Sequence, residues 1–115
     1  MAETLKPREV YNLLNARYFR GKLPDLPVVW AKAYYSKQAN RMGMGGTVFI
    51  GNPLKPIKIM LNPKYKDANV IWVGTLLHEM VHVEQWKLPR SQAHGRKFNK
   101  RIKQLVACGA YRNLL

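Results

Sequence analysis

The first apolar stripe along the chain has a helical period. Val10, Leu13, Leu14 and Tyr18 recur within "PREVYNLLNARYF" (residues 7–19), predicting a helix with these side chains turned to a core. Pro7 suits a first helical position, Thr4 is placed to cap it, and Gly21 ends it. The pattern then changes to β-branched and aromatic residues in "VVWAKAYY" (28–35), a strand introduced by Pro27. "SKQANRMGMGG" (36–46) is polar and glycine-rich, hence a loop or an irregular hairpin arm. "TVFIG" (47–51) and "IKIMLN" (57–62) are two more short strands, and the turn chemistry of "NPLKP" between them predicts a hairpin.

Helical periodicity returns from Asn69 to Leu88, with Asp67 or Asn69 as cap and Pro89 beyond the end. A third helix is expected from His94 to Cys108, with Gly109 at its C-terminus and an apolar stripe of Phe98, Ile102, Leu105 and Val106. No repeat, linker or low-complexity tract interrupts this order. The prediction is one α+β domain over residues 1–115, three main helices packed on a small three-stranded sheet.

The second helix carries the chemistry. In "TLLHEMVH" (75–82), His78 and His82 are four apart and so share one helix face. Both can reach one ion. Glu79 lies about 60° around from His82, near such an ion but off the ligand line. A carboxylate there is placed to take a proton from a metal-bound water and later return it. Trp72, Val73, Leu76, Met80 and Val83 fall on the opposite face as core anchors. Gly74, one turn before His78, either leaves room for a cleft or permits close helix packing.

A zinc hydrolase site needs three protein ligands and one open position. After Glu79 the only acidic residue is Glu84, which points about 200° away from His82. No Asp follows Asp67. His94 is the remaining candidate, with a surface histidine near a helix start as its plainer role; as a ligand it would bring all three histidines of the chain to one metal ion, Zn2+. The metzincin spacing is excluded, because Gln85 and Leu88 stand where it needs Gly and His.

Charge adds a partner. Twenty Lys and Arg face six Asp and Glu in the 115 residues, a formal net charge of +14. Nucleic acid is the first partner such an excess suggests, ahead of an anionic membrane or an acidic protein. Arg96, Lys97, Lys100, Arg101 and Lys103 interleave with the apolar stripe of the third helix, so a basic face starts beside His94. Lys55, Lys58, Lys64 and Lys66 extend it. The expected binding is non-specific and salt-sensitive, with single-stranded DNA among the ligands if Trp30 or Trp86 offers a stacking platform. One cysteine, Cys108, excludes an internal disulfide or a cysteine-rich zinc module. Neither a signal peptide nor a membrane span is recognisable, so a soluble, cytoplasmic monomer is expected.

These segments together resemble the SprT-like metalloprotease family, which includes Spartan and related proteases of DNA–protein crosslinks. "LNARYFRGKLP" followed by "VVW" is similar to the family's opening helix, turn and first strand. "IKIMLNP" resembles the strand ahead of its active-site helix. "LLHEMVHVEQW" followed by "AHGRKFNKRI" resembles its metal segment, including the His-Gly pair and the Phe three residues after that Gly. The resemblance implies a small zincin-like fold, zinc held by His78, His82 and His94, Glu79 as general base, and peptidase activity on proteins attached to or bound on DNA. Many members carry a separate zinc ribbon after the protease core. The lone cysteine leaves none to expect, so DNA recruitment would fall to the core itself. A bare core suits a phage or mobile-element product.

The substrate is expected to lie extended along "GTVFIG" or "IKIML", whichever is a sheet edge. Tyr34, Tyr35, Tyr65 and Tyr111 are available as oxyanion partners, with a place in the core or rim as the plainer role for each. The other functional class is a basic binding module, for nucleic acid or a host protein, with a structural metal. Structural zinc sites are usually closed by four ligands, whereas three histidines and a base are found.

Overall fold

A computed structural model of the chain describes residues 5–31, 44–88 and 93–112. Helix α1 (Pro7–Tyr18) leads through a tight turn to strand β1 (Val28–Trp30). Strands β2 (Gly45–Ile50) and β3 (Lys55–Leu61) follow, then a short 3-10 turn (Pro63–Tyr65), helix α2 (Asn69–Glu84) and helix α3 (Arg96–Ala107). The α+β class holds. The sheet order is β1-β3-β2, with β3 parallel to β1 and antiparallel to β2. β2 and β3 form the expected hairpin, with an irregularity between Val48 and Phe49.

α1 buries Val10, Tyr11 and Leu14, while Leu13 is 54% exposed, so Tyr11 takes the place the sequence gives to Leu13. Tyr11 can do so because its hydroxyl donates to Pro24 O at 2.7 Å, which satisfies the polar end of a buried ring. The Asn15 side chain accepts from Leu23 N at 3.1 Å and donates to Leu23 O at 3.2 Å, fixing the turn between α1 and β1. Thr4 lies outside the described residues. The N-cap is Lys6, with no side-chain cap hydrogen bond.

β1 ends at Trp30, shorter than expected, and residues 32–43 lie outside the described part, Tyr34 and Tyr35 included. β3 is central, which removes "IKIML" as a docking edge. Among the described residues β2 pairs with β3 alone and leaves its other side open.

α2 is the centre of the core. Trp72, Val73, Leu76, Met80 and Val83 are all buried, together with Leu77 and Val81. Its N-cap is Ala68 rather than Asp67 or Asn69, and the Asn69 side chain instead accepts from Trp72 Nε1 at 2.9 Å. The helix closes at Glu84 and residues 85–88 continue as turns, with Leu88 N bonded to Gln85 O. α3 starts at Arg96, two residues later than expected, and buries Phe98 and Leu105, while Val106 is 54% exposed. Gly109 follows with φ of 86°, the left-handed value that a helix C-terminus favours.

Gly45 sets the approach of sheet to helix. A Cβ there would meet Met60 O and Thr75 Cγ2 at 2.9 Å, so only glycine lets β2 lie this close to α2. No helix among the described residues is long and apolar enough to cross a membrane.

Candidate metal centre

α2 presents His78 and His82 one turn apart, and the turn before α3 brings in His94. The Nε2 atoms of His78 and His94 lie 3.2 Å apart, and those of His82 and His94 3.1 Å. One ligand atom from each of the three lies within 4.8 Å of the others. Zinc–nitrogen bonds of about 2.0–2.1 Å in a tetrahedron place nitrogens roughly 3.3–3.4 Å apart, close to this spacing. The donor chemistry agrees. A ring nitrogen either donates or accepts, so His94 Nε2 cannot donate to one neighbour while accepting from the other. Three lone pairs turned to one cation resolve that conflict. The residues fit a divalent metal ion.

Phe98 holds the rings in place. Its centroid lies 4.9 Å from His78, 4.5 Å from His82 in a stacked pose, and 5.0 Å from His94. At 3% exposed it is the floor of the site. Sequence periodicity assigns Phe98 to the apolar stripe, and its position three residues after the His94-Gly95 pair is the signal of the second role. Asn99 Nδ2 donates to His94 O at 3.3 Å, and Gln85 Nε2 to Lys97 O at 3.2 Å, tying the start of α3 to the end of α2. Burial, and after it the charge of neighbouring His94, lowers the His78 pKa below the usual histidine value. The ring therefore stays neutral, the form a metal requires.

Glu79 is buried at 7% exposed and accepts a hydrogen bond from Thr47 Oγ1 at 2.9 Å. Thr47 belongs to β2, so the sheet edge and the HExxH helix meet at this carboxylate. Sequence reading missed Thr47, because no local pattern links positions 32 residues apart. Gly45, Gly46, Thr47 and Phe49 line one side of a cavity of about 230 Å³, with His78, Glu79, His82, Ala93 and His94 around the rest. Gly74 and Tyr111 border an adjoining cavity shared with His78 and Glu79. Gly74 thus opens onto the cleft. Tyr111 sits on its rim, and burial raises its phenol pKa, keeping it a hydrogen-bond donor. Tyr65 packs half-buried against the core.

A family model describing the SprT-like family matches residues 7–113. The chain belongs to the SprT-like family. No curated protein and no solved structure matched it. The SprT-like family is associated with zincin-like metalloproteases, and the three-histidine cluster suits such a site.

The basic candidates divide. Arg96, Lys97, Lys100 and Lys103 are exposed, and 96, 100 and 103 share one face of α3. Arg101 is a correction to the expected surface. Its Nε donates to Glu84 Oε1 at 2.9 Å, its Nη2 donates to Tyr18 O at 2.7 Å, and its guanidinium lies over the Phe19 ring. These contacts turn it inward to join all three helices. The same pair accounts for Glu84, which faces α3 and not the metal site. Lys55, Lys64 and Lys66 are exposed and Lys58 is half-buried. Trp72 is buried and offers no base-stacking platform, Trp30 is half-buried and packs edge-on against it at 5.4 Å, and Trp86 is half-buried in the turn after α2.

Proposed function

We propose that this SprT-like chain is a zinc-dependent endopeptidase that acts on DNA-bound or DNA-crosslinked proteins. The observation that carries the reading is the convergence of His78, His82 and His94 beside a buried, hydrogen-bonded Glu79 in one open cleft. Bound by the three histidines, zinc supplies a Lewis acid that activates water and polarises a peptide carbonyl. Glu79 takes the proton from the attacking water and hands it to the leaving amine. Thr47 holds that carboxylate in place. Among the described residues β2 lines the cleft with an edge that no other strand pairs, suited to main-chain pairing with an extended substrate that tolerates varied side chains.

The DNA part rests on charge. The cationic face of Arg96, Lys100 and Lys103 starts two residues from His94, so a phosphate backbone held there brings attached protein to the cleft. With Trp72 buried and Trp30 packed against it, phosphate contacts lead, and the half-buried Trp86 is the aromatic left for base stacking.

The test is cleavage of a DNA-binding protein by zinc-loaded protein, with and without single-stranded DNA, beside Glu79→Gln. Cleavage by the parent alone, stimulated by DNA at low salt, is expected. Cleavage indifferent to DNA removes the DNA role and keeps the peptidase. Zinc bound without cleavage points to the binding-module alternative.

A further inference from the structure

The cleft continues past the metal centre. Phe49, which borders the cavity holding the three histidines, is also one wall of a second pocket of about 360 Å³. Its other walls are Pro53, Leu54, Trp86, Lys87 and Leu88. They come from the turn after β2 and the turn after α2, so the pocket closes the groove between sheet edge and helix at its far end.

We propose that this pocket is a specificity subsite for one bulky apolar side chain, aromatic or large aliphatic, of the polypeptide being cut. The proposal rests on the peptidase reading above and names a feature of its substrate. Phe49 lies two residues beyond Thr47 on β2, about 6.7 Å along a strand. Trp86 lies in the turn just after α2, four residues beyond His82. The β2 wall therefore sets the pocket roughly two extended residues away from the Thr47–Glu79 hydrogen bond. Side chains two apart on an extended chain point to the same side. A substrate paired with β2 and presenting its scissile bond to Glu79 thus turns the side chain two positions away into this pocket.

The lining sets the chemistry. Phe49, Pro53, Leu54 and Leu88 offer hydrocarbon. The Lys87 ammonium lies 5.5 Å from the centroid of the Trp86 ring, held against an aromatic face. Leu54 is 42% exposed, an uncovered apolar wall on a turn. A cavity of about 150 Å³ is enough to hold a benzene ring, so a Phe, Tyr or Leu side chain has room.

The experiment profiles cleavage of a peptide library by the zinc-loaded full chain and by Leu54→Arg, which places a charge at the exposed wall without touching the core. The parent is expected to favour Phe, Tyr, Leu or Met at one fixed position two residues from the cut, by roughly ten- to hundred-fold in kcat/KM over Ser or Asp. Leu54→Arg is expected to lose that preference while still cutting library members with small residues there. Phe49→Ser, altering the opposite wall, should weaken the same preference. Cleavage with no fixed apolar preference, or a preference unchanged in both variants, overturns the proposal and leaves the peptidase standing. No cleavage by the parent overturns both.

Discussion

Replacing Thr47 with Val exchanges one hydroxyl for a methyl at nearly constant shape and keeps the β-branched side chain that suits a strand. What is lost is the 2.9 Å hydrogen bond to Glu79, a carboxylate only 7% exposed. Hydrogen bonds to charged groups are worth about 1.5–3 kcal/mol net. At about 1.4 kcal/mol per decade of rate, a carboxylate no longer held in place costs roughly ten- to hundred-fold in kcat. Thr47 is no metal ligand, so zinc content should stay at the parental level. Its side chain is turned to Glu79, so KM should move little. Thr47→Ser keeps the hydroxyl and should recover most of the rate. The assay is steady-state cleavage of one peptide by parent, Val and Ser variants, with zinc measured in each. Parental kcat in Thr47→Val refutes the reasoning, and so does a Ser variant as slow as Val.

Phe98→Leu removes the ring beneath three imidazoles while keeping an apolar side chain, and should weaken zinc binding by roughly ten- to hundred-fold, measured by competition with a chelator; unchanged affinity would reduce Phe98 to core filling. Arg101→Ala should destabilise the fold by about 1–3 kcal/mol in urea titration and leave DNA affinity intact. Lys100→Ala should do the opposite and reduce the salt slope of DNA binding by about one. Tyr11 has its pKa pushed up to about 12, by burial first and by Asp25 second. Its folded-state value exceeds the unfolded one, so its contribution is complete below about pH 10 and is lost as pH rises toward 12, a change of about 3 kcal/mol. The difference in stability between parent and Tyr11→Phe, followed from pH 8 to 12, should fall in that window.

The parts legible in the sequence were those whose signal is local. Helix α2 announced itself through apolar periodicity and two histidines four apart, and His94 followed because no acidic residue could replace it. The β2–β3 hairpin was written in its turn residues. Where two flanks of a stripe were both apolar, the choice needed tertiary contacts. Tyr11 won over Leu13 because Pro24 O accepts its hydroxyl, and Leu105 over Val106 because one faces the core and the other does not. Arg101 looked like its basic neighbours until Tyr18 O, 83 residues away, came within reach. The edge role of β2 depended on the parallel pairing of β1 with β3, and the Thr47–Glu79 bond on that same assembly. Both join segments distant in sequence, beyond any pattern of neighbours.

The most direct test of the central claim is cleavage of an unfolded protein by three samples side by side: metal-stripped parent, parent reloaded with zinc, and Glu79→Gln reloaded with the same amount. Fragments are expected from the reloaded parent alone, with zinc retained by the Glu79→Gln protein. Equal cleavage by the reloaded Glu79→Gln protein, or by the stripped parent, would contradict it.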